Sequence, residues 1–279
     1  MSGNPAPTIH VIFRACDKVN AVNNNPRPFM LDKTTLVKIC FQSLIDSLHD
    51  VPHTMHVLGD KLSPGLRDFF LARGARLTEG DYGNDESIRR ALKLGAAVDD
   101  DDWVYFCEDD YVHVPHAMRT IHRFIATPES WMEHTKRLYT WSSFIDLRKR
   151  DLVVHPTDYP DRYRGKYRRF SFIFHSQDCH WRQITDTTFT FLLKASVLRK
   201  RLPFLLRCAK GANDRMLSRG LYGRLTFFGK ALGVSPMPGL ATHMHRDTMS
   251  PLTDWESIVD ALRARLQEEG FLPQEGHRA

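Results

Sequence analysis

The chain has 279 residues, 42% of them hydrophobic, enough for one large domain or two small ones around a substantial core. A formal net charge of +6 favours an anionic partner such as a nucleotide, a nucleic acid or a membrane surface. No apolar run approaches the roughly 20 residues that span a bilayer, and the polar start of the chain is unlike a signal peptide, so an integral membrane protein is excluded and a cytoplasmic one is predicted.

Residues 9–13 are apolar and β-branched, end at Arg14 and predict a strand; the Asn- and Pro-rich stretch 20–28 predicts a long loop. Leu36, Val37, Ile39, Cys40, Leu44 and Leu48 recur near helical spacing, so 33–48 should be a helix packed on that strand. Residues 54–58 read as a second strand ending at Gly59 and Asp60, 65–72 as a helix and 75–78 as a third strand. Asn84 or Asp85 should cap a helix reaching about residue 97, and 103–107 supplies the central strand. This alternation predicts an α/β fold with a mostly parallel sheet covered by helices on both faces, in which ligands collect at the carboxyl ends of strands. Arg14, Asp60 and the acidic residues after position 107 all stand at such ends.

The second half is less regular. Helices are expected at 115–125, 195–202 and 213–221, strands at 137–144 and 184–193, and a final amphipathic helix at 255–269, with the last ten residues frayed. The segment 147–181 shows no assignable element and reads as an insertion. Within it Arg162, Arg164, Lys166, Arg168 and Arg169 interleave with Tyr163 and Tyr167, a composition suited to phosphate backbones and base stacking. The five cysteines show no paired spacing, which predicts reduced, packed thiols.

The strongest chemical signal is Glu108-Asp109-Asp110, directly after the apolar run Val104-Tyr105-Phe106-Cys107. Adjacent anions at the edge of a core repel one another and cost stability unless a cation neutralises them. Magnesium or manganese is the expected cation. Such ions are held by one or two carboxylates together with the phosphates of a substrate, so a phosphate-bearing ligand is expected too.

Taken together, these features resemble the GT-A glycosyltransferases, whose Rossmann-like first half binds a nucleotide sugar and whose DXD motif holds a divalent metal. Glu108-Asp109-Asp110 stands at the DXD position, with Glu in place of the first Asp. The resemblance implies nucleotide-sugar contacts from Arg14, Asp60, Asn84, Ser87, Arg90, Glu108 and Asp109, and metal ligation by Asp110. It also makes the stretch Gly211-Ala212-Asn213-Asp214 similar to the acidic pair where inverting members carry their base. That implies Asp214 as the catalytic base, with Asn213 replacing the first acid, and Asp186 as the second candidate. Thr242-His243-Met244-His245 resembles the C-terminal metal-binding histidine, and His243 is the preferred ligand of the two. The implied layout is one catalytic domain over 1–255, with a nucleotide-sugar half at 9–110 and an irregular acceptor half at 111–255, followed by a C-terminal helix and tail at 256–279.

A narrower likeness, in Asn84-Asp85-Glu86-Ser87-Ile88-Arg89, Trp181-Arg182-Gln183-Ile184-Thr185-Asp186-Thr187-Thr188 and the His243 region, is to small GT-A proteins of phages and bacteria, among them ones considered to glycosylate hydroxymethylated bases in DNA. The implied reaction is inverting transfer of a hexose from a nucleoside-diphosphate sugar, UDP-linked above all, to a hydroxyl. It would take place in the cytoplasm, that of the host where the protein is phage-encoded. A cell-surface glycan or a lipid-linked acceptor is the alternative to DNA. Two rivals keep the scaffold: a nucleotidyltransferase, which lacks support because 13–17 contains no glycine for a phosphate loop, and a non-catalytic nucleic-acid-binding protein.

Overall fold

The computed structural model describes residues 6–17, 27–126, 150–164, 171–223 and 231–274. The strand expected at 137–144, the Asn-rich part of the first loop and the end of the basic run at 166–170 lie outside them. Among the described residues no helix is long and apolar enough to cross a membrane.

The first half follows the predicted alternation. Strands β1 (Ile9–Ala15), β2 (His53–Asp60), β3 (Arg76–Gly80) and β4 (Trp103–Glu108) are joined by helices α1 (Lys33–Ser47), α2 (Pro64–Ala72) and α3 (Gly83–Gly95). The four strands run parallel in the spatial order β3-β2-β1-β4. The chain therefore steps outward through β2 to β3 and returns to the far side of β1, and this reversal opens a crevice at the carboxyl ends of β1 and β4. In that register Arg14 lies beside Glu108.

Side chains alternate across each strand and divide the core into two layers. Ile9, Val11 and Phe13 of β1 and Trp103, Tyr105 and Cys107 of β4 pack with residues of α1 and α2, whereas Ile12, Val104 and Phe106 pack on the opposite face with α3. Helices α4 (Ala117–Ala126) and α7 (Trp255–Glu268) join the first layer; α5 (Ala195–Cys208) and α6 (Asp214–Tyr222) join the second.

Beyond β4 the sheet becomes mixed. Strand β9 (Phe191–Lys194) runs antiparallel to β4, β6 (Asp151–Val154) antiparallel to β9, and β10 (Ala231–Met237) parallel to β6; β8 (His180–Ile184) and β7 (Ile173–His175) finish that edge. A separate two-stranded sheet pairs β5 (Tyr111–His113) with β11 (Ala241–His243). All five cysteines are free.

Several expectations are corrected. The segment 147–181 is no insertion, because β6 sits inside the main sheet between β9 and β10. Residues 184–193 do not form one strand: β8 ends at Ile184 and β9 begins at Phe191. The threonines between them, β-branched and so strand-like in sequence, turn to polar partners instead, Thr188 meeting the Tyr111 hydroxyl and Thr190 the backbone N–H of Glu108. Helix α5 runs on through Pro203 to Cys208. Neither Asn84 nor Asp85 caps α3, which starts at Gly83 with Tyr82 in the capping position.

Candidate active site

The three carboxylates after β4 face three different sets of partners. Glu108 accepts from Arg14 Nη2 at 2.6 Å through Oε1, and from the Thr190 hydroxyl at 3.3 Å through Oε2. Arg14 is itself buried, and its Nη1 donates to Ser87 Oγ at 2.8 Å and Asn84 Oδ1 at 3.3 Å. Asp109 accepts from Lys33 Nζ at 2.6 Å and from the backbone N–H of Cys16 at 2.8 Å. Asp110 turns the other way, toward histidines. The mutual repulsion read from the sequence is thus relieved at two of the three positions by resident cations, and only Asp110 is free of an Arg or Lys partner among the described residues.

The charge states follow these partners. Burial raises the carboxyls of Glu108 and Asp109 despite the opposing charges of Arg14 and Lys33, with the neighbouring carboxylates adding to the rise. Burial also acts against ionisation of Asp110, but His243 and His245 outweigh it and hold this carboxyl well below the usual range. Burial disfavours the charged forms of His243 and Lys33 too, yet the carboxylates beside them raise both.

The small sheet delivers these histidines. Antiparallel pairing sets His243 opposite Tyr111, one residue past Asp110, and the Met244 N–H closes on the Asp110 carbonyl at 2.8 Å. His243 stacks on the Tyr111 ring with centroids 4.8 Å apart, and His245 stacks on His243 at 4.1 Å. His243 Nε2 lies 3.0 Å and His245 Nε2 3.6 Å from Asp110 Oδ2. On its other side His243 Nδ1 meets the Thr248 hydroxyl at 3.4 Å, and that hydroxyl donates onward to the His245 carbonyl.

Asp110, His243 and His245 each offer one ligand atom, all within 4.8 Å of one another. A dication with ligand bonds of about 2.1 Å needs donors no farther apart than about 4.2 Å, so small side-chain adjustments complete the set. Asp110 Oδ1 is buried without a hydrogen-bond partner, an atom that a cation would satisfy. One carboxylate with two imidazoles suits a transition-metal dication such as manganese better than magnesium, which prefers oxygen ligands throughout.

A cavity of about 1150 Å³ opens beside this group. His243, Thr248 and Asp247 form one wall; Asp214, Arg215, Ser218 and Arg219 of α6 form another; Tyr159, Arg162, Asp186 and Thr188 line a third. Asn213 caps α6 by accepting the Met216 N–H at 2.9 Å, which sets Asp214 in the first turn. Asp214 is solvent-exposed where it faces the cavity. Partial desolvation by the protein around it, with the Glu108 charge adding to the effect and His243 and Arg14 opposing, pushes its carboxyl up to about 7.

Other candidates are placed differently. Asp186 also lines the cavity, but its Oδ2 accepts from Arg162 Nε at 3.2 Å and Nη2 at 2.9 Å. Asp60 is buried, and its two oxygens cap α3 by accepting from the N–H groups of Tyr82 at 2.7 Å and Gly83 at 3.1 Å. Arg90 lies over the Tyr82 ring and pairs with Glu86 at 3.2 Å, whereas Asn84 and Ser87 of the same helix meet Arg14. Lys33, Thr190, Thr248 and Arg162 were not singled out as site residues from sequence, and His245 stands beside the preferred His243 rather than in place of it.

No family model matches the chain, and no curated protein matches it. Solved structures with a similar backbone include glucosyl-3-phosphoglycerate synthase from Mycobacterium tuberculosis in complex with phosphoglyceric acid, at 16% identity and TM-score 0.46, covering 97% of this chain and 82% of that one. A nucleotidyl transferase from Methanothermobacter thermautotroptrophicus aligns at 11% identity and TM-score 0.45, over 92% of this chain and 98% of that one. The galactosyltransferase LgtC with donor and acceptor sugar analogs aligns at 14% and 0.44, over 94% and 100%.

Proposed function

We propose that this protein is a metal-dependent glycosyltransferase of the GT-A type, moving a sugar from a nucleoside-diphosphate sugar to a hydroxyl acceptor with inversion at the anomeric carbon. The observation that carries the reading is a carboxylate and two imidazoles suited to a dication, joined through His243 to a cavity that a second carboxylate, Asp214, also lines, its carboxyl pushed up to about 7. When bound, the dication supplies Lewis-acid stabilisation of the charge that develops on the departing diphosphate. Asp110, His243 and His245 would hold it. Arg14 and Lys33, paired with Glu108 and Asp109, offset the negative charge that these carboxylates would otherwise set against a diphosphate.

Asp214 takes the proton of the acceptor hydroxyl while that oxygen bonds the anomeric carbon and the bond to the diphosphate breaks. Its raised pKa suits this task, because a general base works best when its pKa lies near the working pH. Asp186 is the weaker candidate, since Arg162 holds one of its oxygens. Tyr159, Pro160, Asp161 and Arg162, the described start of the basic and aromatic run, line the same cavity, which supports an acceptor on that side. A hydroxymethylated base in DNA is the acceptor to test first, with UDP-glucose and UDP-galactose as first donors.

The deciding experiment is release of nucleoside diphosphate from a panel of nucleotide sugars with manganese, with and without hydroxymethylated DNA. Wild-type protein should release it and Asp110→Ala should not; equal background in both removes the proposal. Turnover stimulated by a glycan or lipid-linked alcohol but not by DNA keeps the transferase and discards the DNA acceptor.

A further inference from the structure

Two arginines on α6 stand out because no carboxylate among the described residues pairs with them. Arg215 and Arg219, four residues apart and hence on one helical face, both line the main cavity, and neither forms an ion pair among the described residues. By contrast, Arg162 across the cavity is held by Asp186, the Thr157 carbonyl and the Ser235 hydroxyl. The same two arginines also line a second depression of about 570 Å³ on the far side of α6, completed by Phe204, Asn213, Met216 and Gly220. That depression contains no carboxylate and has an apolar floor. The floor depends on Gly220, where an added Cβ would stand 1.9 Å from the Phe204 ring. The two arginines thus form a cationic ridge between an acid-lined chamber holding Asp214 and an open, carboxylate-free groove.

We infer that Arg215 and Arg219 form an anion-binding subsite for the acceptor, so that the hydroxyl presented to Asp214 belongs to a molecule carrying a phosphate or carboxylate close to that hydroxyl. This rests on the transferase reading for its purpose, though not for its binding chemistry. A planar guanidinium pair engages two oxygens of one phosphate or carboxylate through charge-assisted hydrogen bonds. Asp214 and Arg215 line the same cavity, so such an anion would sit near the base and fix the acceptor's register.

The binding chemistry is tested without any sugar donor or metal. Inorganic phosphate is titrated into the full chain while the arginine Nε–Hε resonances are followed by NMR. Two of them should shift saturably, and both should vanish from the spectrum of the variant carrying Arg215→Gln and Arg219→Gln. If no arginine resonance moves, or the moving ones survive in the variant, the subsite does not exist. A transfer assay then identifies the anion's source by comparing a phosphate monoester alcohol, a hydroxy carboxylate and a hydroxymethylated oligonucleotide with a neutral alcohol. One anionic acceptor should be preferred, and its KM should rise at least tenfold in the double variant; a neutral alcohol used as well as all three overturns the acceptor role. Phosphate binding in a protein that releases no nucleoside diphosphate from any donor would retain the subsite and reject the transferase.

Discussion

At the residue scale, charge is partitioned rather than pooled. Glu108 and Asp109 are tied to Arg14 and Lys33, whereas Asp110 keeps one oxygen for two histidines and another with no partner. Asp110→Ala should therefore abolish manganese binding, read as loss of the bound fraction by electron paramagnetic resonance, while the fold survives; undiminished binding would place the ion elsewhere. Asp214 gives a prediction in pH. Its folded pKa of about 7 lies above its ordinary value of 3.8, so the native state holds an extra proton between those limits. Its contribution to stability is fully present below about pH 4 and is lost as pH rises through 7. In urea melts, the difference in stability between wild type and Asp214→Asn should change across that window in this direction, and a flat difference would deny the shift. Turnover should rise with pH over the same range, because only the ionised form accepts a proton. Asp214→Asn should lose at least a hundredfold in kcat, the usual scale for general-base catalysis of about 10²–10⁴.

At the element scale, contacts between distant segments do the positioning, and this is where sequence reading loses its hold. The apolar run ending in three acids was legible, because a buried strand closing on carboxylates needs only adjacent residues to be seen. Asn84, Ser87, Arg14 and Glu108 were singled out separately, and the structure joins them in one network. Lys33 was not legible, since its partner Asp109 lies 76 residues away and a lysine at a helix start looks like any solvated one. Strands β5 and β11 are three residues each, too short for periodicity to register, yet their ladder is what carries His243 to Asp110. Asp60 has a structural role the sequence does not announce: read there as a ligand contact at a strand end, it also closes the open N-terminus of α3 from outside that helix. Removing a buried acceptor of two backbone N–H groups costs about 1–3 kcal/mol. Asp60→Ala should lower the urea midpoint accordingly, and an unchanged midpoint would show that the cap is dispensable.

At the scale of the whole molecule, the candidate metal group joins parts of the chain far apart in sequence: Asp110 from the end of the parallel half, His243 and His245 from the segment just before α7. An ion held there would cross-link the end of the parallel half of the sheet to the C-terminal region, and since the unfolded chain scatters these ligands, it would bind the native state alone. Mass action then stabilises the fold by about 2.7 kcal/mol at a manganese concentration one hundred times Kd. For a chain of this size each kcal/mol raises Tm by roughly 2–4 °C, so saturating manganese should raise it by about 5–10 °C. Chelation should reverse the rise, and Asp110→Ala should show none. The same melt in magnesium should give a smaller shift, because two of the three donors are imidazoles. An equal rise in the Asp110→Ala variant would mean that the stabilising ion sits away from this cluster, and the link between the two halves of the chain would have to be sought in packing alone.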